Sequence, residues 1–283
     1  MKSPRTTQLI IIAGIVLLVG FLFSQDIKGL VKPKENTAAA GMPQEAQMPG
    51  LSLAEASATA KNLISNAAAK EFTSLESAFQ KATGEEKVNQ AKVLAQKWDD
   101  LEQAIPSALY LEEAASGQST LVNWVKAGDR FLKAFDNTQD SVAKPVMLQK
   151  ANAAYAKAIE LDSTDLNAKT GMGITMVNGG GAPMAGITML LDVVKKDPKN
   201  FRANMNLGMF AIKSGQFDKA IIRFEEIVQH IKATPDAYFY LATAYESLGK
   251  NNEAVDAYLQ SKKLAANPTL SNFIDKKVAE LKK

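Results

Sequence analysis

"YFYLATAYESLGKNNEAVDAY", residues Tyr238 to Tyr258, sets small residues between large ones at fixed intervals. Ala242 lies between Leu241 and Tyr245, a Gly-Lys-Asn-Asn turn follows, and Ala254 precedes Tyr258 by one helical turn. Moving back 34 residues from Leu241, Ala242, Gly249, Ala254 and Tyr258 lands on Leu207, Gly208, Gly215, Ala220 and Phe224. A period of about 34 residues signals stacked helical hairpins. A further step back finds Met172-Gly173, then Gly186 and Leu190, with Pro198 closing the unit. Another finds Trp124, Ala127, Gly128 and Phe131 in "WVKAGDRF", followed later by Ala151, Tyr155 and Ala158.

The rationing of bulk has a physical reading. Glycine inside a helix costs about 1 kcal/mol relative to alanine. Gly128, Gly173 and Gly208 nevertheless occupy the same point of successive first helices, where Ala242 takes the fourth place. The expectation is that a neighbouring helix backbone approaches there, with Ala151, Ala220 and Ala254 as matching low points on the second helices. Tyr155, Phe224 and Tyr258 should then fill the space between successive hairpins. No hairpin covers its own apolar face, so stability must come from stacking neighbours.

These residues resemble the tetratricopeptide repeat (TPR) family over about 121–268: an aromatic, Leu-Gly and Tyr on helix A, then Ala, an aromatic and Ala on helix B. The units fall at about 121–163, 166–198, 201–234 and 235–268. Asn204 and Ala211 in the third unit, and Lys169 and Met176 in the second, depart from the pattern and predict looser interfaces there. The first unit carries an extra "DNTQDSVAKPV", which makes a long inter-helix loop or extends both helices, and is either a binding loop or tolerated surface drift. The resemblance implies an all-α solenoid of stacked helical hairpins, and with no Ser-His-Asp set or metal-ligand spacing in the chain a non-enzyme is expected. The resemblance also implies that the protein binds another protein or an extended peptide in the groove lined by first helices. In the matched registers the inward side presents Asp129, Leu132 and Lys133, then Thr170, Ile174 and Val177. After these come Arg202, Met205, Met209 and Lys213, then Phe239, Thr243 and Glu246. Met205, Met209 and Phe239 read either as an adaptable apolar strip or as interior packing. Members that hold chaperone tails use a Lys/Asn clamp on the first helix; Val125 and Asp129 stand in those places, which disfavours that ligand class.

Outside the repeats, apolar positions from Leu53 to Phe79 recur mostly at three or four, predicting one helix begun by Ser52 and ended at Thr83-Gly84. A second helix runs through Val88, Ala91, Leu94, Trp98 and Leu101 until Pro106 breaks or kinks it, and "SALYLEEAA" is a further short helix. Residues 51–118 thus form a helical N-terminal region, and residues 269–283 a capping helix with Phe273, Ile274, Val278 and Leu281 on one side.

The first 25 residues differ in kind. Lys2 and Arg5 precede an apolar run, and no charge appears from Thr6 through Gln25. About 20 residues cross a bilayer core, and this stretch meets that length. A cleaved secretory signal has the same design, but Leu22 and Phe23 crowd the one cleavage site after Ser24. An uncleaved single-pass anchor through residues 8–24 is the expectation, in a bacterial inner membrane with the helical body on the periplasmic side. Residues 26–50, with Pro33, Pro43 and Pro49, read as a flexible linker.

Composition narrows the chemistry. The chain has 283 residues, no cysteine and a single histidine, His230, so thiolate chemistry and multi-His metal clusters are excluded. A net charge of +3 argues against a nucleic-acid surface. "NGGGAP", Asn178 to Pro183, lacks the Gly-Lys-Ser/Thr ending of a phosphate loop and reads as an inter-helix turn. Asp99-Asp100 and Glu112-Glu113 read as solvated faces, because adjacent helical residues point in different directions. No catalytic, cofactor or metal site is expected. The leading expectation is a membrane-tethered adaptor. Its alternatives are a structural envelope protein that forms homo-oligomers through the 52–104 helices, and a cytosol-facing import or chaperone receptor.

Overall fold

A computed structural model of the chain describes residues 51–179 and 181–283. The anchor and linker read from residues 1–50 lie outside them. Among the described residues no helix is long and apolar enough to cross a membrane.

Thirteen α-helices and no strand occur among the described residues: α1 (Leu53–Lys61), α2 (Asn66–Lys81), α3 (Gly84–Asp100), α4 (Ala104–Gly117), α5 (Leu121–Asn137), α6 (Ala143–Leu161), α7 (Leu166–Asn178), α8 (Pro183–Lys196), α9 (Phe201–Lys213), α10 (Phe217–Glu226), α11 (Pro235–Ser247), α12 (Asn251–Leu264) and α13 (Pro268–Leu281). A π turn, Ile227–Ile231, ends α10 and carries the exposed His230. Four hairpins, α5/α6, α7/α8, α9/α10 and α11/α12, follow one another. Each second helix packs on the next first helix, and the first helices pack in the series α5, α7, α9, α11.

Local chemistry marks the repeat. Thr120, Asp165, Asn200 and Thr234 precede the four first helices, and Asn267 precedes α13. In each case the side chain accepts the backbone N–H three residues on, satisfying a donor that the helix leaves orphaned. None of the four second helices has such a cap. Gly215 and Gly249 end α9 and α11 with φ of 72° and 70°, a left-handed turn that glycine enters without a Cβ penalty.

Two expectations need correction, and a third is decided between its two alternatives. The helix read from Ser52 to Ala82 is two helices. Ser65 caps α2 through the Ala68 N–H, and Leu63, counted as apolar lining, is 71% exposed in the turn. Pro106 breaks nothing: α3 already ends at Asp100, and Pro106 sits in the first turn of α4, where its missing N–H leaves no bond unmade. The extra residues of the first repeat lengthen both of its helices, to 17 and 19 residues, against 13 and 14 in α7 and α8.

The core is a string of apolar clusters, as a stack requires. At its N-terminal end Phe72 of α2 stacks on Trp98 of α3 with ring centroids 3.8 Å apart, and Phe79 meets Tyr110 of α4 edge-on at 5.4 Å. At the other end α13 closes the stack with Ile274 fully buried and Val278 and Leu281 half-buried, whereas Phe273 is 45% exposed.

The glycine positions hold a further correction. A Cβ on Gly128 would lie 2.7 Å from the Tyr155 ring, and one on Gly208 would lie 2.6 Å from the Phe224 ring. Side-chain rings of the same hairpin, not helix backbones, occupy these places. Close backbone approach occurs at the second hairpin, where a Cβ on Gly186 would lie 2.6 Å from the Gly173 carbonyl oxygen. The low points Ala151, Ala220 and Ala254 are all fully buried.

Candidate functional site: the face of the first helices

The face lined by α5, α7, α9 and α11 divides into two unlike halves. In the N-terminal half, Tyr155 reaches from α6 past Gly128 of α5 and Gly171 of α7, where a Cβ would overlap its ring. Its hydroxyl donates to Asp129 Oδ1 at 2.6 Å and accepts from Arg202 Nη2 at 3.0 Å. Arg202 Nη1 donates to the same Asp129 oxygen at 2.5 Å. Asp129 belongs to α5 and Arg202 to α9, so the pair bridges the intervening helix α7. Packed helices lie about 8–10 Å apart, so side chains from alternate helices meet only where the face curves inward. Burial pushes the Tyr155 hydroxyl well above its ordinary value, so it remains a hydrogen-bond donor. Burial alone would lower the Arg202 guanidinium, but Tyr155 and Asp129 outweigh it and hold it above its usual value.

Other expected groove residues here are also committed within the chain. Lys133 is exposed and donates to Asp99 Oδ1 of α3 at 3.0 Å, and Arg130 pairs with the same oxygen. Asp99 is therefore an ion-pair acceptor rather than part of a solvated face; Glu112 likewise accepts from Lys150 at 2.7 Å. Ile174 and Thr170 are buried, at 7% and 1% exposure. Val177 turns toward α8, lining a hollow with Pro183 and Ile187. Leu132, at 5%, is core.

The C-terminal half is more open. Met205 and Met209 of α9 are half-buried against the C-terminal apolar cluster, and Lys213 stands exposed one turn further on, its ammonium 5.7 Å from the Phe210 ring. Phe239 of α11 is half-buried among Tyr240, Tyr258 and Phe273, with centroids 5.6–6.0 Å away. Thr243 Oγ1 donates to the Phe239 carbonyl at 3.0 Å. Glu246 accepts from the Tyr258 hydroxyl at 2.7 Å and from Lys277 of α13 at 2.8 Å. Burial alone would raise the Glu246 carboxyl, but these two donors hold it below its ordinary value.

Two features were not anticipated from sequence: the tyrosine hydroxyls as polar ties, and Lys277 and Asp99 as partners. The tyrosines stand in positions that also accept phenylalanine, as Phe224 shows, so the repeat pattern carries no signal for the hydroxyl. Among the described residues no group of three His, Cys, Asp or Glu side chains converges as a metal site.

Comparison with known proteins agrees with this geometry. The family model for the tetratricopeptide repeat matches residues 235–268. No curated protein matches the sequence. Among solved structures, the chain is similar to TTC0263, a thermophilic TPR protein in Thermus thermophilus. That likeness has a TM-score of 0.55 and 15% identity, covering 68% of this chain and 99% of that one. It is also similar to PilW, a widely conserved type IV pilus biogenesis factor, with a TM-score of 0.53 and 16% identity, covering 69% of this chain and 88% of that one. At such identities the likeness shows the fold alone. The chain carries a tetratricopeptide repeat at residues 235–268, and its described helices fold in the manner of TPR solenoids.

Proposed function

We propose that this chain is a membrane-tethered scaffold that holds an extended peptide or another protein on the C-terminal half of its first-helix face. Met205, Met209, Phe239 and Thr243 form the contact surface, with Lys213 and Glu246 at its margins. The observation that carries this reading is the contrast between the halves. Asp129, Arg202 and Lys133 already satisfy one another or Asp99, while Met205, Met209 and Phe239 remain half-exposed. Unbranched methionine side chains beside an aromatic ring repack around varied partners at small cost. Residues 8–24 would span a bacterial inner membrane, 26–50 would act as the tether, and the helical body would lie in the periplasm.

Two experiments test this. A photoreactive residue at Met209, activated in native membranes, should join the chain to a different protein, and Phe239→Ala should weaken that product. Crosslinks confined to a second copy of this chain would instead favour self-assembly. Protease added to sealed inside-out vesicles should leave the body intact; digestion without detergent would place it in the cytosol and overturn the topology.

A further inference from the structure

Helices α3 and α5 both pack on α4 and leave a valley between them, away from the half of the face assigned to peptide. Its lining follows helical spacing on all three: Lys92 and Gln96 on α3, Ser107 and Leu111 on α4, Asn123, Lys126 and Arg130 on α5. The hollow measures about 330 Å³, and no acidic residue lines it among the described residues. We propose that this hollow binds an oxyanion, a phosphate or carboxylate group.

Three cations line the hollow, and among the described residues only Arg130 has an acidic partner. Arg130 pairs with Asp99, which also serves Lys133. Lys92 donates only to the neutral Gln118 amide oxygen, at 3.2 Å, and Lys126 has no hydrogen-bond or ion-pair partner among the described residues. Gln96 donates to Asp100 at 2.7 Å, and Asn123 donates to the Gln118 carbonyl at 2.8 Å, so the neighbouring amides are ordered. A guanidinium fork with two ammonium groups suits the several lone pairs of an oxyanion.

Ser107 lines the hollow at 1% exposure, and its hydroxyl has no hydrogen-bond partner among the described residues. An unpaired buried hydroxyl costs about 1–3 kcal/mol, and native folds seldom leave one. An acceptor oxygen seated against the α4 wall of the hollow is the partner we assign to it, beside the spare donors of Lys92 and Lys126. One anion would answer both the unpaired hydroxyl and the unbalanced charge.

Calorimetric titration of the full chain with inorganic phosphate, at ionic strength held constant with chloride, tests the proposal. The expected result is saturable binding, weakened about tenfold or more by Lys92→Ala combined with Lys126→Ala, since a charge-assisted bond is worth about 1.5–3 kcal/mol. Ser107→Ala should weaken it less, and Lys219→Ala, on α10 and outside the lining of the hollow, should leave it unchanged. Without phosphate, the double variant should melt no lower than the native chain, because removing converging cations relieves repulsion. A parallel titration with acetate identifies the source: tighter phosphate binding points to a phosphate ester, and equal or tighter acetate binding to a carboxylate. Absence of saturable binding by either anion, or binding that survives in the double variant, would overturn the proposal.

Discussion

Tyr155 shows how one residue can set both packing and polarity. Its ring needs the missing Cβ atoms of Gly128 and Gly171, and its hydroxyl ties Asp129 to Arg202. Gly171→Ala should therefore destabilise the chain by about 1–3 kcal/mol through overpacking, since the ring lies in a fully buried site and has no room to yield. The denaturant midpoint measures this; an unchanged midpoint would show that the ring moves freely. Gly128 was legible in sequence because it repeats at Gly173 and Gly208. Gly171 was not, because the equivalent places of the other first helices hold Lys126, Asn206 and Tyr240.

At the scale of elements, periodic bulk located the hairpins, whereas helix ends depended on single polar side chains. Ser65 splits α1 from α2 although the apolar spacing carries on across the break, because a side chain that caps a helix competes with continuation of the one before it. The caps at Thr120, Asp165, Asn200, Thr234 and Asn267 recur almost as regularly as the glycines and would have located the first helices from sequence. Ties between elements follow no such repeat. Glu246 joins α11, α12 and α13 through Tyr258 and Lys277. Its carboxyl is more acidic in the folded chain than in the unfolded one, so its contribution is complete above the ordinary carboxylate range and disappears as pH falls through the lowered folded value. Solvent screening at this partly exposed site limits that contribution to about 0.5 kcal/mol. Glu246→Gln should cost that amount near neutral pH, and the difference from the native chain should vanish in strong acid. A difference independent of pH would contradict the assignment.

At the scale of the whole molecule, the described helices form one stack whose first-helix face bends inward, and this platform is the basis of the proposed function. The stacking was legible because volume must recur wherever identical neighbours nest. The division of the face was not, since it depends on which acid meets which base across an intervening helix: Asp129 and Arg202 are 73 residues apart, a separation that no local pattern encodes. The chain has no cysteine, so two introduced thiols can carry spin labels without background. Labels at Lys133 on α5 and Lys213 on α9 report the distance across the bridged half of the face. The account predicts one narrow distance population that broadens when Arg202→Ala removes the bridge. A broad distribution in the otherwise native chain would contradict the claim that the hairpins nest into one curved platform.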